Sequence, residues 1–205
     1  MQLELLVEEE SAEAALRVLL PKLLKHGVYY EIRLFQGKPD LLGKLPERLR
    51  GYARRVPRED LRILVLIDED RQSCTALKAS MEEMARDAGL VTKNAATADQ
   101  PFRVVTRIAV EELEAWFFGD VPALVQAYPG VPATLGTRAK YRDPDQIAGG
   151  TAEALHDVLR AARYYTRTHM PTVEVAQRIS SHMNPMANRS HSFCCFRDGL
   201  AALTE

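Results

Sequence analysis

Asp68 and Asp70 close the run Leu61–Asp70, Leu-Arg-Ile-Leu-Val-Leu-Ile-Asp-Glu-Asp. The apolar part reads as a strand buried on both faces, as found inside a parallel sheet. Side chains two residues apart on a strand share a face, so the two carboxylates point the same way. Close carboxylates repel unless something positive stands between them, and a divalent cation is the usual solution. The plain alternative is a solvated turn with a helix N-cap, followed here by Arg71 and Ser73.

Two further junctions have the same form. Gln2–Val7 reads as a strand and runs into Glu8-Glu9-Glu10. Phe102–Val110 reads as a strand and runs into Glu111-Glu112-Leu113-Glu114. In a parallel sheet all three junctions lie on one edge, where ligands of α/β folds bind. Acids are common at helix N-termini because the dipole favours them, which accounts for Glu9, Glu10 and Glu111. It accounts less well for an acid straight after each apolar run. With no His or Cys ligand spacing, converging carboxylates would select a hard ion, Mg²⁺ or Mn²⁺. His26, His156, His169 and His182 read as surface or satisfied core residues.

Several elements must position these acids. Ser11 is a plausible N-cap for a helix through Leu16, Leu19 and Leu23, with Pro21 expected to kink it and Gly27 to stop it. Val28–Phe35 alternates as a second strand, Gln36–Asp40 reads as a loop, and Leu42–Val56 as an amphipathic helix with its arginines outward. Ser73–Gly89 reads as another helix. The alternation of strands and helices predicts an α/β fold, a mostly parallel Rossmann-type sheet with helices on both faces. From Val121 the prolines Pro122, Pro129, Pro132 and Pro144 break the chain. Helices are expected near Thr151–Tyr164, Thr172–Ser181 and from Phe193 onward. The expected division is a core over residues 1–120 and a mostly helical C-terminal cap over 121–205.

The net charge of -1 gives no global pull toward nucleic acid, but it hides an uneven distribution. Met1–Ala14 is acidic without a base, whereas Lys44–Arg58 holds Lys44, Arg48, Arg50, Arg54, Arg55 and Arg58 against Glu47. An acidic centre beside a basic flank suits a metal site acting on a polyanion; a solvated helix face is the bland alternative. No cationic leader precedes the first strand, and no apolar stretch is long enough to span a bilayer, so no membrane association is expected. The cysteines Cys74, Cys194 and Cys195 lack metal spacing and fit a reducing cytoplasm.

Val7-Glu8 after a strand, Asp68-x-Asp70 after another, and the acidic segment after a later one resemble the Toprim domain. That metal-dependent fold occurs in topoisomerases, primases and the overcoming-lysogenization-defect (OLD) nucleases. The chain is more closely similar to a bacterial family of unknown function placed beside Toprim, at Val7–Leu16, Leu64–Asp70, Glu112-Leu113-Glu114-Ala115-Trp116 and Asn188-Arg189-Ser190-His191-Ser192-Phe193. The resemblance implies a Toprim-like core in which Glu8 shuttles a proton and Asp68 and Asp70 hold Mg²⁺ (or Mn²⁺). Glu112 or Glu114 would complete the metal shell. Arg50, Arg54 and Arg71 would neutralise phosphate, and Asn188, Arg189 and His191 would reach back to hold it, unless Ser192 merely caps the last helix. Trp116 reads as an aromatic anchor. Two departures stand out: Glu9 replaces the glycine that follows the first Toprim glutamate, and Ala12 stands where OLD-type members carry a second acid.

The implied function is Mg²⁺-dependent phosphodiester cleavage of nucleic acid, as the nuclease component of a bacterial phage-defence system. With no Gly-rich Walker loop in the sequence, ATP hydrolysis would belong to a separately encoded ATPase. The alternatives are a non-catalytic nucleic-acid-binding or ATPase-partner subunit with a degenerate site, and a small-molecule-binding α/β domain whose acids are helix caps.

Overall fold

Strand β1, Gln2–Val7, is the strand about which the sheet is arranged. In the computed structural model, which describes residues 1–69 and 72–205, the strand order is β2-β1-β3-β4. Asp70 and Arg71 therefore lie outside the described residues. Strand β2, Tyr29–Leu34, runs parallel to β1 from Gln2↔Tyr29 to Val7↔Leu34. Strand β3, Leu61–Asp68, runs parallel to its other side from Gln2↔Leu61 to Val7↔Leu66. Strand β4, Val104–Ala109, follows β3, giving a four-stranded parallel, Rossmann-like sheet.

The chain divides into two compact units. The first holds residues 1–9, 24–108 and 196–205. Its core packs Leu6, Ile63, Val65, Ile67 and Ile108 of the sheet against two helices, α2 (Lys38–Arg55) and α3 (Cys74–Asp87). Leu3, Leu5, Leu64 and Leu66 alternate onto the opposite face and are also buried. There the chain's last residues close over the sheet: Arg62 Nε donates to the Leu203 carbonyl at 3.2 Å, and Gly199 lies against the Arg107 guanidinium. Helices thus cover both faces, as the alternating pattern predicts. Edge strand β2 is far less covered, with Tyr29 76% exposed.

Helix α2 starts four residues before the expected Leu42. Gly37 takes φ 84, which turns the chain sharply, and a proline is tolerated in a helix's first turn. Asp40 accepts from Gln36 N at 3.1 Å and pairs with Lys44 at 2.5 Å. The residues read as a loop are the helix start.

The second unit holds residues 10–23 and 109–195. It contains α1 (Glu10–Leu23), α4 (Glu114–Phe118), α5 (Val121–Ala127), α6 (Thr151–Ala161), α7 (Thr172–His182) and the beginning of α8 (His191–Leu203). Pro21 lies inside α1 without ending it. Lys22 Nζ, one residue on, donates to the carbonyls of Ser180, Ser181 and Met183 at 2.9, 2.8 and 3.0 Å, closing the end of α7. Burial holds the Lys22 ammonium below its usual pKa, against the raising effect of Asp120. Helix α5 was not expected, because Pro122 read as a break. It occupies the first turn, and Asp120 caps that turn by accepting from Ala123 N at 3.1 Å.

One buried acid belongs to neither the strand ends nor a helix cap. Glu4 is fully buried in β1. Its carboxylate accepts from Arg33 Nε at 2.9 Å and Tyr52 Oη at 3.2 Å, with Arg55 Nη1 at 3.5 Å. A buried carboxylate is tolerable only with such partners, since desolvation alone costs several kcal/mol. Burial first, and then the Glu4 charge, push the Tyr52 hydroxyl up to about 12. An unfolded tyrosine ionises near pH ~10. Between those values only the unfolded state loses its proton, so stability present below pH ~10 drains away as pH rises through ~12. Tyr52→Phe should cost about 1.5–3 kcal/mol at pH 8 through its lost charged hydrogen bond. Urea denaturation from pH 8 to 12 should show that gap closing as wild type loses up to about 3 kcal/mol more than the variant. A gap constant with pH would refute this account.

Candidate functional site

In unit one, β1 and β3 are neighbours, yet the chain leaves β1 for β2 on one side and β3 for β4 on the other. Connections that part in this way leave a crevice at the carboxyl ends of the two central strands, the usual ligand position in open α/β sheets. Glu8 and Asp68 stand there. Val7 is level with Leu66, so Glu8 follows β1 one residue below Asp68 on β3. The Asp68 backbone N–H donates to Glu8 Oε1 and fixes that carboxylate across the two strands. Both residues are buried, Glu8 at 7% and Asp68 at 9% exposure.

Lys38 completes this rim, and sequence reasoning missed it. The Glu8 carbonyl accepts from Gly37 N at 2.8 Å, which sets the first residue of α2 beside the end of β1. From there Lys38 Nζ reaches the Glu69 carbonyl at 3.1 Å, one peptide past Asp68. The lysine is buried at 8% exposure. A cation in the first turn of a helix opposes the helix dipole. Because Gln36–Asp40 reads as a loop, the mismatch is visible only once the helix start is known.

The remaining acids of the rim divide differently. Glu69 Oε1 accepts from Cys74 N at 3.1 Å, so this side chain caps α3 together with Ser73, whose Oγ accepts from Ala76 N at 3.4 Å. Asp70 and Arg71 are outside the described residues. Arg50 and Arg54 are exposed on α2. Among the described residues, no group of three or more His, Cys, Asp and Glu side chains is placed to hold a metal ion.

Unit two holds the other expected residues. After β4 the backbone at Glu111 takes φ 61, a left-handed conformation rare for a glutamate. Glu112 Oε2 accepts from Thr151 Oγ1 at 3.1 Å and from Ala152 N at 2.8 Å, so it caps α6, whose own N-cap position is Gly150. Glu114 is buried at the start of α4. The helix-cap reading, set beside metal binding for all these acids, describes Glu112 and Glu69.

The segment Asn188–Phe193 is a buried polar network. Ser190, not Ser192, caps α8, its Oγ accepting from Phe193 N at 3.1 Å. Ser192 Oγ instead accepts from Trp116 Nε1 at 3.1 Å and donates to Asp145 Oδ1 at 2.6 Å. Trp116 is fully buried edge-on against Phe193, with ring centroids 5.1 Å apart, the anchor its type suggests. Asn188 Nδ2 donates to the Trp116 carbonyl at 2.8 Å. Gly119 passes so close that a Cβ there would lie 2.0 Å from Asn188 Oδ1. Arg189 and His191 are exposed, and His191 Nε2 stands 3.5 Å from Cys195 Sγ. The half-buried His156 departs from the satisfied-core reading, because its buried Nε2 has no hydrogen-bond partner among the described residues.

Asp145 is the centre of this network. Its carboxylate accepts from Ser190 Oγ (2.9 Å), Ser192 Oγ, Ser192 N (3.2 Å) and His191 N (2.5 Å). A carboxylate at a helix N-terminus meets both unsatisfied amides and the positive end of the dipole. Removing it leaves several buried donors without an acceptor, each costing about 1–3 kcal/mol. Asp145→Ala should therefore destabilise by about 3 kcal/mol or more, and Asp145→Asn by less, in chemical denaturation. Gly119→Ala should also destabilise, by about 1–3 kcal/mol through overpacking. Wild-type stability in Asp145→Ala would show that the network is ornamental.

No curated protein and no solved structure matches the chain. A family model described as a domain of unknown function, DUF4276, matches residues 7–203. That span includes Glu8, Lys38 and Asp68 at the rim as well as Trp116, Asp145 and the Asn188–Phe193 network, and the chain belongs to the DUF4276 family.

Proposed function

We propose that this protein is a Mg²⁺- or Mn²⁺-dependent phosphodiester-cleaving, nuclease-like protein of Toprim type, with its chemistry at the β1–β3 rim. One observation carries the reading: Glu8 and Asp68, both buried, end adjacent parallel strands at the point where the connections part. Two acids so placed stand where open α/β sheets bind their ligands.

The donor set fits the ion. Mg²⁺ is commonly held by one or two carboxylates, keeping waters and taking substrate phosphates for the rest. Asp68 would hold it, with Asp70 beside it in sequence. The ion would supply charge neutralisation and an activated water for in-line displacement. Glu8, oriented by the Asp68 N–H, would move the proton. Arg50 and Arg54 on α2 of the same unit would meet the phosphate backbone. Arg71 keeps the phosphate-neutralising role that the Toprim resemblance implies, whereas Glu112, Glu114, Arg189 and His191 belong to the second unit and carry no part of this proposal. The broader setting, the nuclease half of a bacterial defence system with a separate ATPase, rests on that resemblance alone.

A second reading, a non-catalytic nucleic-acid-binding or ATPase-partner subunit, is favoured by the capping duties of Glu69 and Glu112. Both readings meet in one assay. Purified protein is incubated with supercoiled, linear and single-stranded DNA and with RNA in EDTA, Mg²⁺ or Mn²⁺. Cleavage should require the ion and fall by about 10²-fold or more in Glu8→Gln and Asp68→Asn, with melting temperatures retained. Binding without cleavage in every condition would transfer support to the second reading. Cleavage that survives both substitutions would remove the rim from the chemistry.

A further inference from the structure

We propose that the outer face of α2 carries a binding site for a nucleoside di- or triphosphate, distinct from the β1–β3 rim. A cleft of about 470 Å³ is lined by Lys44, Glu47, Arg48, Gly51, Tyr52 and Arg55. That volume is within the range of about 300–1,000 Å³ typical of small-molecule sites. Lys44, Arg48, Tyr52 and Arg55 recur at helical spacing and so form one stripe.

Three features set this stripe apart from an ordinary solvated face. The first is charge. Three cations face one acid, Glu47. Lys44 is shared with Asp40, and Arg55 with Glu59 at 2.8 Å. Arg48 has no acid within ion-pair distance among the described residues.

The second is support from behind. Tyr52 Oη and Arg55 Nη1 both address the fully buried Glu4, and the Arg55 guanidinium lies 5.9 Å from the centre of the Tyr52 ring. Two lining groups are thus held in place before any ligand arrives. This preorganisation gives the buried carboxylate, otherwise a burden on stability, a purpose.

The third is Gly51. A glycine inside a helix is disfavoured relative to alanine. Its φ is not left-handed, and a Cβ built there would meet nothing within 4 Å. Neither packing nor backbone geometry requires a glycine at this position. Its effect is to leave the cleft wall bare.

Clustered guanidinium and ammonium groups recognise phosphate oxygens, and arginine does so bidentately. A single wall carboxylate accepts hydrogen bonds from ribose hydroxyls or a base amino group. Together they select a nucleotide over bare pyrophosphate, which shares only the phosphate chemistry.

The test is calorimetric titration of the full chain with ATP and, separately, with pyrophosphate. EDTA is present throughout, so the outcome does not depend on metal chemistry at the rim. Saturable binding is expected, tighter for ATP. Arg48→Ala should weaken both by about tenfold, the loss of one charged contact. Glu47→Gln should weaken ATP alone. Gly51→Leu should block both while leaving the melting temperature at or above wild type. The proposal is overturned if neither probe saturates at millimolar concentration, if Arg48→Ala and Gly51→Leu bind as wild type, or if only oligonucleotides bind.

Discussion

Strands β1 and β3 are covered on both faces, and that constraint decides where the sheet can meet solvent. Leu3, Leu5 and Leu6 of β1 and Ile63 to Ile67 of β3 are all buried. A backbone flanked by helices above and below shows solvent only its ends. Glu8 accordingly stands just after β1 and Asp68 at the end of β3, while Glu4, fully buried within β1, is answered by Arg33, Tyr52 and Arg55 in place of water. The parallel direction of the sheet then gathers Glu8 and Asp68 on one rim, although 60 positions separate them.

The same constraint explains which parts of the fold were legible in the sequence. A strand buried on both faces is a continuous apolar run with abrupt ends, so β1 is found at the limits its residues suggest and β3 ends at Asp68, directly after its apolar run. Strands β2 and β4 are shorter than the runs Val28–Phe35 and Phe102–Val110 that mark them in the sequence. Helix starts were read less well. Gly37-Lys38-Pro39 and Asp120-Val121-Pro122 look like breaks, and both are helix openings. Proline is a breaker inside a helix and an opener in its first turn, and local sequence does not say which.

The candidate site was legible in part for a related reason. The strand-end acids could be named, since their position follows from the apolar runs. What each carboxylate accepts could not, because the partners come from distant segments: Thr151 and Ala152 for Glu112, and Ser190, His191 and Ser192 for Asp145. Lys38 was overlooked because a lysine next to a proline in an apparent loop carries no periodic signal. The polar run Asn188–Ser192 suggested ligand contacts, yet its buried members, Asn188, Ser190 and Ser192, bond to one another, to Trp116 and to Asp145. Polarity alone does not distinguish a binding segment from a buried network that fixes a helix start.

The carboxylates described above therefore fall into three physical environments. Glu69, Glu112, Asp120 and Asp145 accept from helix amides, so their charge is answered by the backbone. Glu4 is answered by two guanidinium groups and a phenol. Those acids are committed to holding the fold, and moving a proton or an ion through them would loosen what they hold. Glu8 and Asp68 differ in being set side by side, with a peptide N–H of one bonded to the carboxylate of the other. Glu8 accepts from a strand amide and not from a helix amide, which sets it apart from the capping acids. The adjacent Lys38 ammonium, anchored on the Glu69 carbonyl, keeps the rim from being wholly anionic. The rim is therefore of mixed sign, two carboxylates beside one buried ammonium.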